Sequence, residues 1–112
     1  MAVYVLNALV PPQSGQGLLK ISPATIAEVR QAISQGAQCY IGHPATARLL
    51  NVAPNRGEAK PKEGDIAFVL RLRFRPQVSG QEVEVKESDL EVLRVEYLSI
   101  SALHALNVQG LK

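Results

Sequence analysis

Residues 66–75 read IAFVLRLRFR, and this stretch decides the fold. Because successive side chains of a strand point to opposite faces, the alternation predicts a strand with one core face. The other face ends in three arginines. The core face holds Phe68, Leu70, Leu72 and Phe74, and the other face holds Val69, Arg71, Arg73 and Arg75. Alternation resumes at 82–85 after the turn VSGQ, which indicates a hairpin.

Apolar segments on either side predict the rest of the sheet. Residues 3–10, VYVLNALV, indicate a buried strand that carries the polar Asn7 in its interior. Short strands are predicted at 18–21 and 38–41, and a last strand at 93–100. The polar segment between 53 and 64 predicts an exposed loop.

A first helix is predicted between the second and third strands. It begins with Ser22 as the N-cap and Pro23 at the first helical position, or alternatively with a capping box of Thr25 and Glu28. Gly36 ends it. Strands and helices are mixed along the chain, so the predicted fold class is α+β. We expect a single domain over residues 1–112, with a mixed sheet of about five strands flanked by two main helices.

The composition excludes several classes of protein. The chain has 112 residues, of which 46% are hydrophobic and 20% charged, as in globular rather than disordered proteins. It has neither an apolar run of membrane-spanning length nor a signal-peptide pattern, so we expect a cytoplasmic protein with no membrane partner. A net charge of +2 is too small for a duplex-binding protein, and 4% aromatic residues argue against a stacking platform for single strands.

The cysteine and histidine counts argue against a metal or another cofactor. Cys39 is the single cysteine, which excludes an internal disulfide and a multi-cysteine zinc site. Its place in a predicted strand indicates a core residue. The two histidines, His43 and His104, have no metal-ligand spacing, so the sequence predicts no metal site.

His43 is the residue that most suggests chemistry. It follows a predicted strand and precedes a second helix, predicted at 45–51, and Gly42 allows close approach of the backbone. A histidine there can serve as a general acid or base, and helix-terminal N–H groups can hold a phosphate. The alternative is a histidine that bonds to local backbone or caps the helix. The pattern alone favours this alternative.

The arginine stripe also has two interpretations. Guanidinium groups pair with phosphate oxygens in a bidentate way, so the stripe fits a phosphate ligand. Alternatively, Glu82 and Glu84 lie opposite the arginines in the hairpin and form cross-strand ion pairs, which we favour for Arg71 and Arg73. Arg75, at the end of the strand, is then the arginine predicted to be available to a ligand.

Two polar side chains complete the candidate set. Asn7 inside an apolar strand needs hydrogen-bond partners, which could be a ligand at the strand end or a neighbouring loop. Thr46 lies three residues after His43. Its hydroxyl could bind a phosphate or bond back to the helix carbonyls.

Taken in order, these features resemble a known family. They are a first strand with Asn7, the motif IGHPAT at 41–46 before a helix ending in LLN, and EGD at 63–65 before a long strand that finishes with Arg75. The family was first seen as an uncharacterised protein of an archaeal turreted icosahedral virus. Its members include viral anti-CRISPR ring nucleases and cellular relatives, which degrade cyclic tetra-adenylate, the messenger of type III CRISPR defence. IGHPAT is the one fairly specific motif.

The resemblance implies a homodimer that binds a two-fold cyclic oligoadenylate across its interface. It also implies cleavage without a metal, in which a ribose 2′-hydroxyl attacks the adjacent phosphate and leaves linear products with a 2′,3′-cyclic phosphate. His43 matches the family histidine that protonates the departing 5′ oxygen, and Arg75 matches the arginine that stabilises charge on phosphorus. Asn7 matches the asparagine that lines the ligand site. The further predicted ligand-binding residues are Gly42, Thr46 and Arg73.

The chain departs from the family pattern after Arg75. The family places a Glu in an acidic turn within about three residues of this arginine, whereas the segment 76–78 reads PQV here. Glu82 is the nearest following carboxylate. A binding-only sponge or sensor for the messenger is therefore an alternative to the enzyme. A structural interaction protein, whose arginines only form ion pairs, is the third reading.

Overall fold

Strands and helices alternate along the part of the chain that the structure, a computed structural model, describes: residues 1–73 and 85–99. The predicted hairpin strand at 82–84 and the tail from residue 100 lie outside these ranges. No helix within them is long and apolar enough to cross a membrane. The elements are β1 (Val3–Leu6), β2 (Leu18–Pro23), α1 (Ile26–Ser34), β3 (Gln38–Tyr40), α2 (Pro44–Leu49), β4 (Ile66–Leu72), a 3-10 turn (Glu87–Asp89) and β5 (Leu90–Leu98).

The strands form one mixed sheet in the order β2-β5-β4-β1-β3. Strand β1 lies between β3 and β4 and runs parallel to both. Strand β5 is antiparallel to β4 on one side and to β2 on the other. The predicted α+β class, with a five-stranded mixed sheet and two helices, is confirmed.

The two helices cover one face of the sheet and form the first core. Val29 of α1 and Val5 of β1 are fully inaccessible to solvent there, and Leu70 of β4 is 1% exposed. Burying an aliphatic side chain of this kind contributes about 1.5–3 kcal/mol. The packing fixes α2 over the ends of the parallel strands, where His43 begins the helix.

The opposite face of the sheet is a second core, which corrects the prediction that β4 has only one core face. Ala67 and Val69 are fully buried on this face, although they lie in the set that ends in arginines. Only Arg71 and Arg73 of that set are exposed within the described residues. The other buried members of this core are Tyr4, Leu6, Ala59, Val95 and Tyr97.

Loops rather than helices cover the second core. The Tyr97 hydroxyl donates to the Val10 carbonyl at 2.6 Å, and the Gln13 amide donates to the Pro61 carbonyl at 2.7 Å. Ala59 is 5% exposed, so the segment 53–64 is not simply the exposed loop that its polar composition predicts. Sequence periodicity misses this cover because loops carry no repeating apolar pattern.

The start of α1 distinguishes between the two predicted caps. The Thr25 hydroxyl accepts the Glu28 amide at 3.2 Å and donates to the Glu28 carboxylate at 3.3 Å. Ser22 and Pro23 lie in β2 instead, so the alternative cap is correct. Gly36 follows the helix with φ +96°, a left-handed conformation that suits glycine.

Strands β1 and β5 have different bounds from those predicted. Strand β1 ends at Leu6 instead of Val10, because its neighbour β3 ends at Tyr40, the residue paired with Leu6. Asn7 is therefore not inside a strand, and its side chain is exposed. Strand β5 begins earlier than predicted, at Leu90, where it pairs with Leu72.

Candidate functional site

The carboxyl ends of the three parallel strands meet at one edge of the sheet. Leu6 pairs with Tyr40 of β3 and with Val69 of β4, so these three residues stand at one level. Asn7 follows directly after β1, and the Gly42-His43 pair follows β3. Ligands of α/β sheets commonly bind at this edge of parallel strands. We call it the carboxyl edge.

His43 is the N-cap of α2. Its Nδ1 accepts the Thr46 amide at 3.4 Å and lies 3.2 Å from the Thr46 hydroxyl oxygen. Pro44 occupies the first helical turn, and the fixed φ of proline suits that position. The capping alternative named for this histidine is therefore what the structure contains. The capping contacts involve Nδ1.

Thr46 is buried under this cap. Its residue is 2% exposed, and its hydroxyl contacts the His43 ring. This contact is with neither a phosphate nor a helix carbonyl, the two partners predicted for the hydroxyl. The sequence pattern indicates the histidine cap but not the contact of its ring with the Thr46 hydroxyl.

Arg56 lies beside Gly42 and was not among the predicted residues. A Cβ on Gly42 would stand 3.1 Å from Cγ of Arg56, so the glycine makes room for the arginine stem. The Asn55 amide donates to the Ile41 carbonyl at 2.8 Å, and its Nδ2 donates to the Cys39 carbonyl at 3.2 Å. These bonds hold the loop against the segment that leads to His43. The exposed Arg56 guanidinium thus adds a positive charge near the carboxyl edge.

A sequence signal for this loop exists in the tetrapeptide PNRG at 54–57. Asn is favoured in turns because its side chain bonds to the backbone two residues on, and Oδ1 of Asn55 accepts the Gly57 amide at 2.9 Å. The turn could therefore have been predicted. Its docking onto β3 could not, because that contact joins segments far apart in the sequence.

A cavity of about 440 Å³ opens beside Asn7 at the same edge. Tyr40 and Gly57 contribute to its wall, and a Cβ on Gly57 would stand 3.3 Å from ring atoms of Tyr40. Glu58 is the one ionisable carboxylate in this lining, and His43 is not part of it. The structure therefore brings Asn7 and His43 to one edge without placing them in one cavity of the single chain.

The predicted arginines separate into two groups. Arg71 pairs with Glu91 of β5 at 3.0 Å, so the ion-pair interpretation holds for Arg71 with a different partner from Glu82 or Glu84. Arg73 directly follows β4 and is exposed, beyond the carboxyl edge. Leu72 is three residues past the level of Leu6, about 10 Å at the rise of a strand. Arg75 lies outside the described residues.

Cys39 is half-buried in β3 and takes no part in the edge. Burial raises the pKa of its thiol, and Sγ lies 3.8 Å from the Ala37 carbonyl oxygen. A raised pKa disfavours the reactive thiolate. The interpretation of Cys39 as a packing residue is consistent with this environment. No group of three or more His, Cys, Asp or Glu side chains in the described ranges could hold a metal ion.

A second cavity lies at the opposite edge, between α1 and the amino ends of the parallel strands. It measures about 950 Å³ and is lined in part by Val3, Gln31, Gln38, Ile66 and Arg94. None of the predicted site residues contributes to it. Although this cavity is larger than the one beside Asn7, the predicted site residues converge at the carboxyl edge instead.

The chain is similar to known proteins in both sequence and structure. The model of the family described as STIV B116-like matches residues 3–98. Among solved structures, the chain is similar to B116 of Sulfolobus turreted icosahedral virus (STIV), with a TM-score of 0.67 and 21% sequence identity. The match covers 86% of this chain and 99% of that chain, and it shows a shared fold. No curated protein matches the sequence.

Proposed function

The chain belongs to the STIV B116-like family, and from this premise we propose that it is a metal-independent ring nuclease that cleaves cyclic tetra-adenylate. The whole of residues 1–112 would act as one such domain. The observation that carries the proposal is the convergence at the carboxyl edge. Asn7 and the capped His43 lie at that edge, and β4 continues past it toward Arg73 and Arg75.

The chemistry requires one proton donor and positive charge near phosphorus. A ribose 2′-hydroxyl attacks the adjacent phosphorus in line, the 2′ oxygen–phosphorus bond forms, and the 5′ oxygen–phosphorus bond breaks. His43 gives a proton from Nε2 to the departing 5′ oxygen, and the 2′ proton passes to water. Arg75 stabilises the added negative charge on the phosphoryl oxygens. The products are linear adenylates with a 2′,3′-cyclic phosphate, and no cofactor takes part.

Binding draws on the other residues of the edge. Asn7 offers an amide donor and acceptor beside the 440 Å³ cavity, which has room for a nucleobase. Gly42, Arg73 and Arg56 lie near the strand ends, where a close backbone and two guanidinium groups suit phosphates. A two-fold ring would bind across an isologous dimer, so that each chain contributes one His43.

The turn after Arg75 supports a second candidate, a sponge or sensor that binds the ring without cleaving it. The segment 76–78, PQV, has no carboxylate to orient the sugar. Such a protein would keep its contacts with the phosphates of the ligand but would cleave the ligand very slowly. The third candidate, a structural interaction protein, is supported only by the Arg71–Glu91 pair, which leaves Arg73 and Arg56 unaccounted for.

Single-turnover incubation with cyclic tetra-adenylate in EDTA tests the proposal. Products are followed by chromatography, and binding by gel shift on the same samples. We expect metal-free conversion that His43→Ala abolishes and that the matched control His104→Ala retains. Binding without conversion would support the sponge. Absence of binding would support the structural protein.

A paired arginine comparison tests the phosphate contacts. Arg75→Ala is expected to lower both affinity and rate. Arg71→Ala removes a guanidinium of β4 that already pairs with Glu91, so the affinity should stay near wild type. Equal losses in the two variants would indicate a general effect of charge and would contradict the assigned role of Arg75.

A further inference from the structure

The contact between His43 and Thr46 restricts where the ring proton can lie. An amide N–H can only donate, so the Thr46 amide can bond to Nδ1 only when Nδ1 carries no proton. The neutral ring must then carry its proton on Nε2. A neutral Nε2–H cannot accept a second proton, so this tautomer is unsuited to act as a base at Nε2.

The hydroxyl of Thr46 supplies what the amide cannot. When the ring is protonated, Nδ1–H faces the Thr46 amide and needs an acceptor. The hydroxyl oxygen lies 3.2 Å away and can either donate or accept. It can therefore bond to Nδ1 in the neutral ring and to Nδ1–H in the imidazolium. Its burial, at 2% exposure of the residue, keeps water from replacing it easily.

We propose that Thr46 is a positioning residue that holds the His43 ring in both protonation states, so that His43 acts as an acid at Nε2 and not as a base. The catalytic part of this inference rests on the proposed function. In the acid step the imidazolium gives its Nε2 proton to the 5′ oxygen, and Nδ1–H stays bonded to the Thr46 hydroxyl. Water then gives a proton to Nε2, which restores the imidazolium, and loss of the Nδ1 proton to water returns the neutral Nε2–H tautomer that the Thr46 amide favours.

Nuclear magnetic resonance of ¹⁵N-histidine-labelled protein tests the tautomer without any ligand. The chain has two histidines, so His104→Gln assigns the His43 signals. We expect the Nε2–H tautomer in the neutral wild type. At acidic pH we expect an Nδ1–H signal in wild type and Thr46→Ser that is broadened by solvent exchange in Thr46→Val. A neutral Nδ1–H tautomer, or an unchanged signal in Thr46→Val, would overturn the proposal.

Single-turnover kinetics tests the catalytic consequence. Thr46→Val should slow cleavage about tenfold to a hundredfold, because a misplaced acid loses much of its effect. Its affinity for cyclic tetra-adenylate should stay unchanged. Thr46→Ser should restore most of the rate. Thr25→Val, which removes the N-cap hydroxyl of α1, controls for a general effect of weakening a helix cap away from His43. Weaker binding in Thr46→Val would mean a direct ligand contact and would overturn the positioning role.

The two proposals fail in distinguishable ways. If the wild type neither binds nor cleaves cyclic tetra-adenylate, the proposed function is wrong. The resonance experiment still decides whether Thr46 holds the His43 imidazole. If the wild type cleaves and Thr46→Val cleaves equally fast, the function stands and the positioning role is wrong.

Discussion

At the residue scale, the proposed function gives His43 a chemical role in addition to its structural one. Nδ1 caps α2, and the proposal assigns proton transfer to Nε2. Removing the side chain therefore removes both the helix cap and the proposed proton donor. Loss of activity in His43→Ala would not by itself identify an acid. A substitution that keeps the cap separates the two roles.

His43→Asn is expected to preserve α2 and abolish cleavage. Asn is among the best N-cap residues, because its side-chain oxygen accepts the amide three residues on, but it has no proton to transfer near neutral pH. His43→Ala should lose about 1 kcal/mol of unfolding free energy as a cap deletion. Urea unfolding and single-turnover rates check both. Full cleavage by His43→Asn would contradict the acid role.

Asn55→Ala is expected to weaken both stability and ligand binding. It removes the bonds from Nδ2 to the Cys39 carbonyl and from the Gly57 amide to Oδ1. Net hydrogen bonds contribute about 1 kcal/mol each, so a loss of about 1–2 kcal/mol in unfolding free energy is expected. The loop that carries Arg56 would then lose its fixed place.

Arg56→Ala is the control for that prediction. It should weaken binding while leaving unfolding free energy within about 0.5 kcal/mol of wild type, because the side chain is exposed. Unfolding curves and gel-shift titrations on both variants decide the matter. If only Asn55→Ala weakens binding, Arg56 does not contact the ligand.

At the element scale, charged pairs within β5 and between β5 and β2 support the antiparallel half of the sheet. Glu96 on β5 contacts Arg94 at 2.8 Å and Lys20 of β2 at 3.8 Å. The hydrogen bond from Arg94 lowers the pKa of the Glu96 carboxyl, with smaller contributions from the charges of Arg94 and Lys20. A carboxyl with a lowered folded pKa stabilises the fold above its unfolded pKa of about 4.3, and this contribution disappears as pH falls through the folded value.

Glu96→Gln is therefore expected to melt at a lower temperature than wild type at neutral pH and at the same temperature in strong acid. Melting curves from neutral pH down to strong acid, well below the ordinary Glu pKa, measure the difference. Glu58→Gln, in an exposed loop, controls for the change in net charge. A gap in melting temperature that persists in acid would mean that the carboxylate charge is not the cause.

Elements with a local pattern were the predictable part of the fold. The strand β4 follows from its alternation, and α1 follows from the Thr25–Glu28 box and Gly36. The end of β1 was wrong by four residues because it is set by β3, a short strand far along the chain. The second core was missed because Ala67 and Val69 are covered by loops, whose tertiary contacts leave no periodic signal.

At the scale of the whole molecule, the candidate site depends on topology as well as on motifs. The sequence identified His43 and Asn7, and the parallel order β4-β1-β3 brings them to one edge. It did not identify Arg56, whose place depends on a loop docking onto β3, and it assigned Glu82 and Glu84 to Arg71, which pairs with Glu91. Residue types were predictable, whereas their partners required the fold.

The dimer is the prediction that belongs to this scale. Light scattering should give twice the chain mass of 12.1 kDa, and titration with cyclic tetra-adenylate should saturate at one ring for two chains. Mixing wild type with His43→Ala should give heterodimers that retain one acid. A 12.1 kDa monomer that binds one ring per chain would contradict a composite two-fold site.

Strand β1 is first in the chain but lies inside the sheet, and its position determines how the chain folds. Its neighbours β3 and β4 come much later in the sequence, so the pairing of β1 with either strand closes a long loop. The antiparallel pair of β4 and β5 closes a shorter loop, and we expect it to form the folding nucleus. Val95→Ala should therefore slow refolding, and Val5→Ala should mainly speed unfolding, as measured by stopped-flow chevron analysis. On this route, insertion of the first strand completes the fold, and the carboxyl edge exists only after that last step.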